Sequence, residues 1–195
     1  MVLFTLEVKK ECGGSLLLEK ATIKKGEIPV LLAVVCQKGG SAQKETLRDA
    51  GAWFQNKAVA NIQKNALSLK KDVDNTFEKL CGENEISILK KQAEAGELSF
   101  VFCAGENAVA GGEGTYILQQ RFGSAAAAEA LPEGLFSLGE GATILLTDGN
   151  CPFLNDKNKL ECLFSASNED ALERSVREVS EGLSDMSFIC IKVGV

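Results

Sequence analysis

The stretch GEGATILLTDG, residues 139–149, has the pattern of a strand that ends in a turn. Its centre, ATILLTD at 142–148, is apolar and carries no helical periodicity, which predicts a buried strand. The strand runs into Asp148-Gly149, a pair that is favoured in tight turns. The segment therefore predicts a core strand with a carboxylate at its end.

Strands are also predicted on both sides of this segment. They lie at 2–8, 15–23, 28–36, 98–104, 114–122 and 186–195. The run IPVLLAVVC at 28–36 is continuously apolar, as expected for a strand that is buried on both faces. Gly13-Gly14 predicts a turn that makes 2–8 and 15–23 a hairpin. The alanine-rich segment 123–134 is expected to be a surface loop or a frayed helical turn.

Two long helices are predicted between the third and fourth strands. The first spans 42–65, and the second breaks near 81–84 before it resumes through Ile88, Leu89 and Ala93. Apolar residues recur at three- and four-residue spacings, so each helix has one apolar face. A later helix has Asn168 as its predicted N-cap. The aromatic residues on the first two helices are expected in the core: Trp53, Phe54 and Phe77.

The order of elements predicts the fold class. Strands mostly follow strands across short turns, which favours antiparallel pairing and an α+β layered fold. No internal repeat and no linker divides the sequence, so we expect one domain over 1–195.

Composition excludes several classes of function. The net charge of −6, with scattered Lys and Arg, disfavours nucleic acid and anionic membranes as partners. No apolar run approaches the ~20 residues of a membrane span, and the N-terminus does not resemble a signal peptide. The seven cysteines form no CxxC pair, which predicts buried free thiols and a cytoplasmic protein. Histidine is absent, which removes imidazole bases and most zinc sites.

The loop KGGSAQKET at 38–46 superficially resembles the phosphate loop of partitioning-type ATPases. Such a loop needs a second glycine and a lysine that opens the helix. Here Ala42-Gln43 replace that glycine, Lys44 is displaced, and Glu45 would face the phosphates. We therefore reject a nucleotide site.

Four segments together suggest a different family. LPEGLFSLGEGATILLTDGNCPFLND at 131–156 resembles the G-D-x-L-L-L-x-[ST]-D-G region of metal-dependent serine/threonine phosphatases of phosphatase-2C type. GLSDMSFICIKV at 182–193 is similar to the family's closing metal motif and strand. AGGEGTYILQQRFG at 110–123 resembles its V-G-D-S-R-x-Y-L strand pair, with Tyr116 in the tyrosine place. LLAVVCQKGGSAQKETLRDAGAWF at 31–54 resembles its F-A-V-x-D-G-x-G-G strand and first helix.

The resemblance covers nearly the whole chain and implies a specific architecture. It implies two antiparallel β-sheets sandwiched between helix pairs, an α-β-β-α fold. It also implies a cleft that holds two Mg²⁺ or Mn²⁺ ions and hydrolyses phosphoserine or phosphothreonine.

Most of the family's metal ligands have no counterpart in this sequence. Asp148 is kept and is a candidate metal ligand, although a turn residue is an equal interpretation. At the last metal position, an ungapped alignment places Ser184 and a one-residue deletion places Asp185, the second candidate. Gly112 stands in the place of an aspartate and Gly114 in that of an arginine. The residues aligned with the family's cleft loop are Cys36, Gln37, Lys38, Gly39 and Gly40.

Cys36 occupies the place of the aspartate that bridges the metals in the family. A soft thiolate is a poor ligand for Mg²⁺ or Mn²⁺, and a packed core thiol is the plainer interpretation. We therefore expect no cofactor, or Mn²⁺ or Mg²⁺ where a remnant of the site survives.

The leading hypothesis is a pseudophosphatase that acts as a binding or regulatory module in Ser/Thr phosphorylation signalling. Its expected partner is a phosphoprotein or a Ser/Thr protein kinase. One alternative is a weakly active Mg²⁺/Mn²⁺ phosphatase that uses Asp148, Asp185 and other acids such as Glu11, Glu113 or Asp156. A structural or assembly module without phosphate chemistry is the other.

Overall fold

The computed structural model describes residues 1–10, 13–23, 27–37, 43–66, 70–120, 126–131, 133–149 and 151–194. The strands in these ranges are β1 Leu3–Val8, β2 Leu16–Ile23, β3 Ile28–Cys36, β4 Leu98–Ala104, β5 Asn107–Gly111, β6 Thr115–Gln120, β7 Ala126–Ala130, β8 Gly134–Ser137, β9 Thr143–Thr147 and β10 Phe188–Val193. The helices are α1 Gln43–Trp53, α2 Val59–Ala66, α3 Lys70–Cys81, α4 Asn84–Glu94, α5 Lys157–Phe164 and α6 Glu169–Ser180. A π-helical turn, Phe54–Ala58, joins α1 to α2, and a 3-10 turn, Pro152–Asn155, precedes α5.

Within the described ranges, the strands form two antiparallel five-stranded sheets. Sheet A has the order β1-β10-β9-β6-β7, and sheet B has the order β2-β3-β4-β5-β8. The apolar strand β3 lies between β2 and β4, and all its residues after Ile28 are buried. This confirms the strand predicted at 28–36.

Three apolar clusters hold the layers together. Alternate residues of β3 divide between them, because successive side chains of a strand point to opposite faces. Leu31, Ala33 and Val35 pack between the sheets, whereas Leu32 and Val34 face the helices α1–α4 on the outer side of sheet B. A third cluster joins the outer side of sheet A to α5 and α6. The predicted fold class, two antiparallel β-sheets between helix layers, is confirmed.

Two local predictions are wrong. Residues 2–8 and 15–23 are not hairpin partners, because β1 pairs with β10 in sheet A and β2 pairs with β3 in sheet B. The segment 123–134 contains the edge strand β7, where backbone pairing with β6 overrides the low strand propensity of alanine. Sequence reasoning also missed β5, β8 and the short helix α5.

The helix predictions hold closely. The helical pattern breaks at Gly82-Glu83, between α3 and α4, as predicted. Asn168 caps α6, where its side chain accepts a hydrogen bond from the Ala171 N–H. Trp53, Phe54 and Phe77 lie in the cluster between α1–α4 and sheet B. No helix of the described ranges is both long and apolar enough to cross a membrane.

Among the cysteines that the structure describes, all but Cys162 follow the prediction of buried free thiols. The buried ones carry free thiols and are Cys36, Cys81, Cys103, Cys151 and Cys190. Cys162 is partly exposed and also free, and Cys12 lies outside the described residues.

Candidate functional site

Three strand ends meet at one end of the sandwich. Gly14 lies just before β2, Cys36 ends β3, and Asp148 follows β9. A Cβ atom built on Gly14 would lie 1.9 Å from the Cys36 carbonyl oxygen and 2.8 Å from the Asp148 Cβ. The structure therefore brings the loop of Cys36 against the turn of Asp148, and only a glycine fits between them.

The Asp148 carboxylate is buried, and one of its two oxygens accepts hydrogen bonds from backbone N–H groups. Asp148 as a whole is only 3% exposed. Oδ2 accepts hydrogen bonds from the backbone N–H groups of Gly14 (2.5 Å) and Ser187 (2.9 Å). Oδ1 is buried as well and has no hydrogen-bond partner in the described part of the chain. One oxygen thus joins two loops while the other is unpartnered.

The Cys36 thiol is directed away from this carboxylate. Its side chain packs in the cluster between sheet B and the helices α1–α4. Burial raises the pKa of the Cys36 thiol to about 11, and the nearby charge of Glu97 contributes in the same direction. The thiol is therefore protonated at neutral pH, and a neutral thiol is not a ligand for a hard cation.

Gln37 connects the two sheets at this end. Its backbone N–H donates to the Glu97 carbonyl oxygen (2.8 Å), and its Nε2 donates to the Thr147 carbonyl oxygen (3.5 Å). An uncharged amide thus lies beside the turn of Asp148. The other residues of the predicted cleft loop, Lys38, Gly39 and Gly40, lie outside the described residues.

Backbone atoms occupy the space beside Gly112 and Gly114. A Cβ atom on Gly112, which has φ +100°, would lie 2.4 Å from the Leu98 carbonyl oxygen. A Cβ atom on Gly114 would lie 2.3 Å from the Thr147 carbonyl oxygen. The Thr147 N–H donates to the Gly114 carbonyl oxygen (2.8 Å), which fixes this close approach. Neither position accommodates a side chain without movement of the backbone.

A cavity of about 680 Å³ opens beside Asp148. Asp148 and Asp185 both line it, together with Tyr116 and Cys151. Asp185 is exposed at its rim, whereas Ser184 is not part of the lining. The two aspartates chosen as candidate metal ligands therefore border the same cavity.

The other acidic residues considered for a metal site lie elsewhere. Asp156 is the N-cap of α5, where its carboxylate accepts from the backbone N–H groups of Asn158 (3.1 Å) and Lys159 (3.2 Å). Glu113 is exposed and is not part of the cavity lining. Glu11 lies outside the described residues.

These donors do not fit a pair of divalent cations. Two adjacent dications require several carboxylate or carbonyl oxygens around them. No group of three or more Asp, Glu, Cys or His residues within the described ranges could hold a metal ion. Asp148 also has one oxygen bonded to two amides, and Cys36 is neutral and directed elsewhere.

Sequence reasoning missed the residues that hold Asp148 in place. The sequence predicts a hairpin turn at Gly13-Gly14, whereas in the structure a Cβ atom on Gly13 would lie 2.0 Å from Ser187 Oγ. Ser187 accepts from the Lys10 N–H (3.2 Å) and donates its own N–H to Asp148. The glycine pair was the available signal for close backbone packing.

Solved structures resemble this chain over nearly its whole length. A variant of a bacterial serine phosphatase has a TM-score of 0.64 at 10% identity, with 99% of this chain and 97% of that chain covered. RsbX in complex with magnesium has a TM-score of 0.52 at 10% identity, with coverages of 98% and 94%. PppA of Pseudomonas aeruginosa has a TM-score of 0.52 at 12% identity, with coverages of 100% and 99%. No protein-family model and no curated protein matches the sequence. The chain has the fold of the metal-dependent serine/threonine phosphatases of phosphatase-2C type.

Proposed function

We propose that this protein is a pseudophosphatase, a phosphatase-2C fold that acts as a binding or regulatory module in Ser/Thr phosphorylation signalling. The observation that carries the proposal is the closed backbone at Gly112 and Gly114. These glycines stand where the resemblance expects an aspartate and an arginine, and carbonyl oxygens lie 2.4 Å and 2.3 Å from their Cβ positions. An aspartate or arginine side chain at these positions would therefore clash with the backbone.

Electrostatics support the same proposal. A dinuclear hydrolase concentrates four positive charges, which need a cage of carboxylates, and its bound water is activated only by those cations. Here the described end of the sandwich offers Asp148 and Asp185, and Gln37 contributes a neutral amide beside them. Without the cations, two carboxylates repel a phosphoryl group rather than bind it.

The comparisons suggest the biological context of the proposed module. One structural relative is described as a serine phosphatase, and another, PppA, as a key regulatory component of a secretion system. By analogy of fold, which is an associational argument, we propose a phosphoprotein or a Ser/Thr protein kinase as the partner.

One observation favours an enzymatic alternative. Asp148 and Asp185 line one cavity, and Asp148 Oδ1 has no hydrogen-bond partner in the described chain. A single weakly held Mn²⁺ or Mg²⁺ ion could use these oxygens, and the protein would then be a weakly active phosphatase.

A turnover assay separates the two candidates. The full chain is incubated with p-nitrophenyl phosphate and with a phosphoserine peptide, each with Mn²⁺, Mg²⁺ or EDTA. The proposal predicts the same rate in all three conditions, equal to that of Asp148→Asn. Metal-dependent turnover that Asp148→Asn abolishes would establish the enzyme instead. An active phosphatase of the same fold serves as the positive control.

A further inference from the structure

The end of α6 presents a serine hydroxyl that follows two arginines. Ser180, the last residue of this helix, is partly exposed, and its Oγ donates to the Arg177 carbonyl oxygen (3.0 Å) in an exposed hydrogen bond. Arg177 lies three residues before Ser180, and Arg174 lies six residues before it. Among the serines and threonines that the structure describes, Ser180 alone has an arginine three residues before it.

Both arginines are accessible to a partner. The Arg177 guanidinium pairs with Glu173 (3.0 Å), but the two side chains are 80% and 57% exposed, and such a surface pair contributes little. Arg174 is exposed as well, and its Nε donates to the Asp170 carbonyl oxygen (3.4 Å). Because residues three apart are neighbours on a helix surface, the two guanidinium groups leave from the same face. They suit a partner with an acidic groove, since guanidinium binds carboxylates in a bidentate manner.

The chain around Ser180 allows the hydroxyl to be presented to an enzyme. α6 ends at Ser180, and residues 181–187 contain neither helix nor strand. Gly182 lies in this segment with φ +78°. Helix ends fray, so the last turn opens more easily than the helix centre. An enzyme that needs an extended acceptor segment therefore has to open only the last turn of α6.

We propose that Ser180 is phosphorylated by a Ser/Thr protein kinase whose acidic groove binds Arg174 and Arg177. This inference rests on the proposed function and deepens it, because it gives the proposed kinase partner a site on this chain. Ser180 Oγ attacks the γ-phosphorus of Mg²⁺-bound ATP, the bond from that phosphorus to the β,γ-bridging oxygen breaks, and ADP leaves. The hydroxyl proton passes to the general base of the kinase.

The phosphate weakens the last turn of α6 in three ways. The esterified Oγ has no proton to donate to the Arg177 carbonyl oxygen. The new negative charge lies at the helix C-terminus, where the macrodipole disfavours an anion. Lys159 Nζ, which donates to the Val179 carbonyl oxygen (3.5 Å), is attracted to the phosphate instead.

The weakened turn leads directly to the cavity beside Asp148. The Leu183 N–H donates to the Ser180 carbonyl oxygen (3.1 Å), so the segment after α6 begins on this turn. The same segment continues to Asp185 and Met186, which line the cavity. Phosphorylation therefore acts on the rim of the cavity from a site outside its described lining.

The site is tested on the full chain with Mg²⁺-ATP and the catalytic subunit of cyclic-AMP-dependent protein kinase, which favours basic residues before the acceptor. Mass spectrometry of proteolytic peptides locates the phosphate and gives the initial rate. We expect phosphate at Ser180 and none at this position in Ser180→Ala. The rate at Ser180 should be at least tenfold lower in Arg177→Gln. The matched control is Arg48→Gln, because Arg48 is also exposed and paired with a nearby acid, and it should keep the wild-type rate.

Amide hydrogen exchange of the phosphorylated chain, followed by ¹H–¹⁵N NMR, tests the effect on α6. The N–H groups of Glu181 and Leu183 donate to the carbonyl oxygens of Glu178 and Ser180. We expect both amides to exchange about two- to fivefold faster than in the unmodified chain. The Leu172 amide, in the first turn of α6, is the internal control and should not change.

Three results would overturn the inference. They are no phosphate at Ser180, phosphate confined to Ser124, which also follows an arginine by three residues, and equal rates at Ser180 in Arg177→Gln and the wild type. Unchanged exchange at Glu181 and Leu183 would overturn the effect on the helix. For separation from the proposed function, the phosphorylated chain is desalted and incubated with Mn²⁺ or EDTA. Loss of its phosphate with Mn²⁺ alone would reject the pseudophosphatase and leave Ser180 as the site.

Discussion

At Asp148, one carboxylate oxygen joins two loops that are distant in sequence. Oδ2 accepts from Gly14, which precedes β2, and from Ser187, which precedes β10. The former loop leads into sheet B and the latter into sheet A, so this carboxylate ties the two sheets together at one end. A residue type that would suit a metal centre has a structural role here.

The structural role of Asp148 is testable by truncation. Asp148→Ala leaves two buried amides without an acceptor, and each unsatisfied group costs about 1–3 kcal/mol. We expect the free energy of unfolding, measured by urea denaturation in EDTA, to fall by about 2–4 kcal/mol. Asp185→Ala, at an exposed position, is the control and should change it by less than about 0.5 kcal/mol. Equal stability of the two variants would contradict the structural role.

An aspartate at position 112, which the resemblance to phosphatase-2C would expect, should destabilise the fold. Gly112→Asp places a side chain at φ +100° and against the Leu98 carbonyl oxygen. Left-handed strain and overpacking together should lower the free energy of unfolding by about 2–4 kcal/mol without creating phosphatase activity. Gly139→Asp is the control, because nothing lies within 4 Å of its Cβ position. A stable Gly112→Asp variant with Mn²⁺-dependent turnover would refute this account.

For individual residues, the sequence indicated which side chains lie at the candidate site better than it indicated what those side chains contact. Asp148 and Asp185 were chosen by resemblance, and both line one cavity. That Cys36 is directed toward the helices, and that Gly14 lies against Asp148, depends on strand register and loop paths. Such contacts between residues that are far apart in sequence leave little trace in local patterns.

At the scale of elements, a buried lysine attaches α5 to sheet A. Lys192, on β10, is 5% exposed. Its Nζ donates to the carbonyl oxygens of Phe164 and Gly141 (2.9 Å for Gly141) and to Thr143 Oγ1 (3.0 Å). Phe164 ends α5, and a cation at a helix C-terminus is favourable. The Phe164 ring also lies 5.0 Å from Nζ.

Lys192 predicts a pH dependence of stability. Burial lowers the pKa of Lys192 from its ordinary 10.5, and Cys190 opposes this only in part. Between the lowered pKa and 10.5 the unfolded chain binds more protons at this residue, so its contribution to stability rises with pH. The free energy of unfolding of wild type minus that of Lys192→Met should therefore increase as the pH rises through the lowered pKa toward 10.5.

Urea denaturation across this pH range measures that difference. The exposed lysine Lys157 supplies the control variant, Lys157→Met, for which the difference should stay flat. A difference that falls with pH for Lys192→Met would show that the ammonium form is favoured by folding.

Elements with strong patterns were predicted, and weakly patterned ones were not. β3 and β4 are continuous apolar runs, and α6 has a clear cap and one apolar face. β7 consists of four alanines and one glutamate and is a strand because its backbone pairs with β6. α5 has only eight residues, and its Asp156 cap was considered instead as a metal ligand.

For the whole molecule, three apolar layers hold the fold together. Each cluster is built from alternating strand residues and helix faces, and none of them requires a carboxylate. Cores tolerate extensive apolar substitution when volume and pattern are kept. The fold can therefore match that of a bacterial serine phosphatase at 10% identity.

Because buried thiols lie in all three layers, we expect the fold to lose stability at alkaline pH. Burial raises the pKa of Cys36 and Cys81 to about 11 and that of Cys103, Cys151 and Cys190 to about 12, from an ordinary 9.0. Their contribution to stability is complete below pH 9.0 and is lost as the pH rises toward these values, because the unfolded chain loses its thiol protons first. Lys192 alone acts in the opposite direction, and these five thiols outnumber it. The free energy of unfolding of the wild type should therefore fall above about pH 9.

The same burial predicts thiol reactivity in the native state. In a Cys12→Ser variant at about pH 8, Ellman's reagent should react rapidly with Cys162 alone among the described cysteines, because thiolate character and access govern the rate. Adding Cys162→Ser should remove that phase. A fast phase that mass spectrometry assigns to Cys36 would contradict the packed, neutral thiol.

The most direct test of the central claim is an anomalous difference map from crystals soaked in MnCl₂. We expect no pair of manganese peaks at the end of the sandwich where Gly14, Cys36 and Asp148 meet, because the carboxylates that two dications need are absent from its described part. Two peaks about 3.5–4 Å apart beside Asp148 would contradict it.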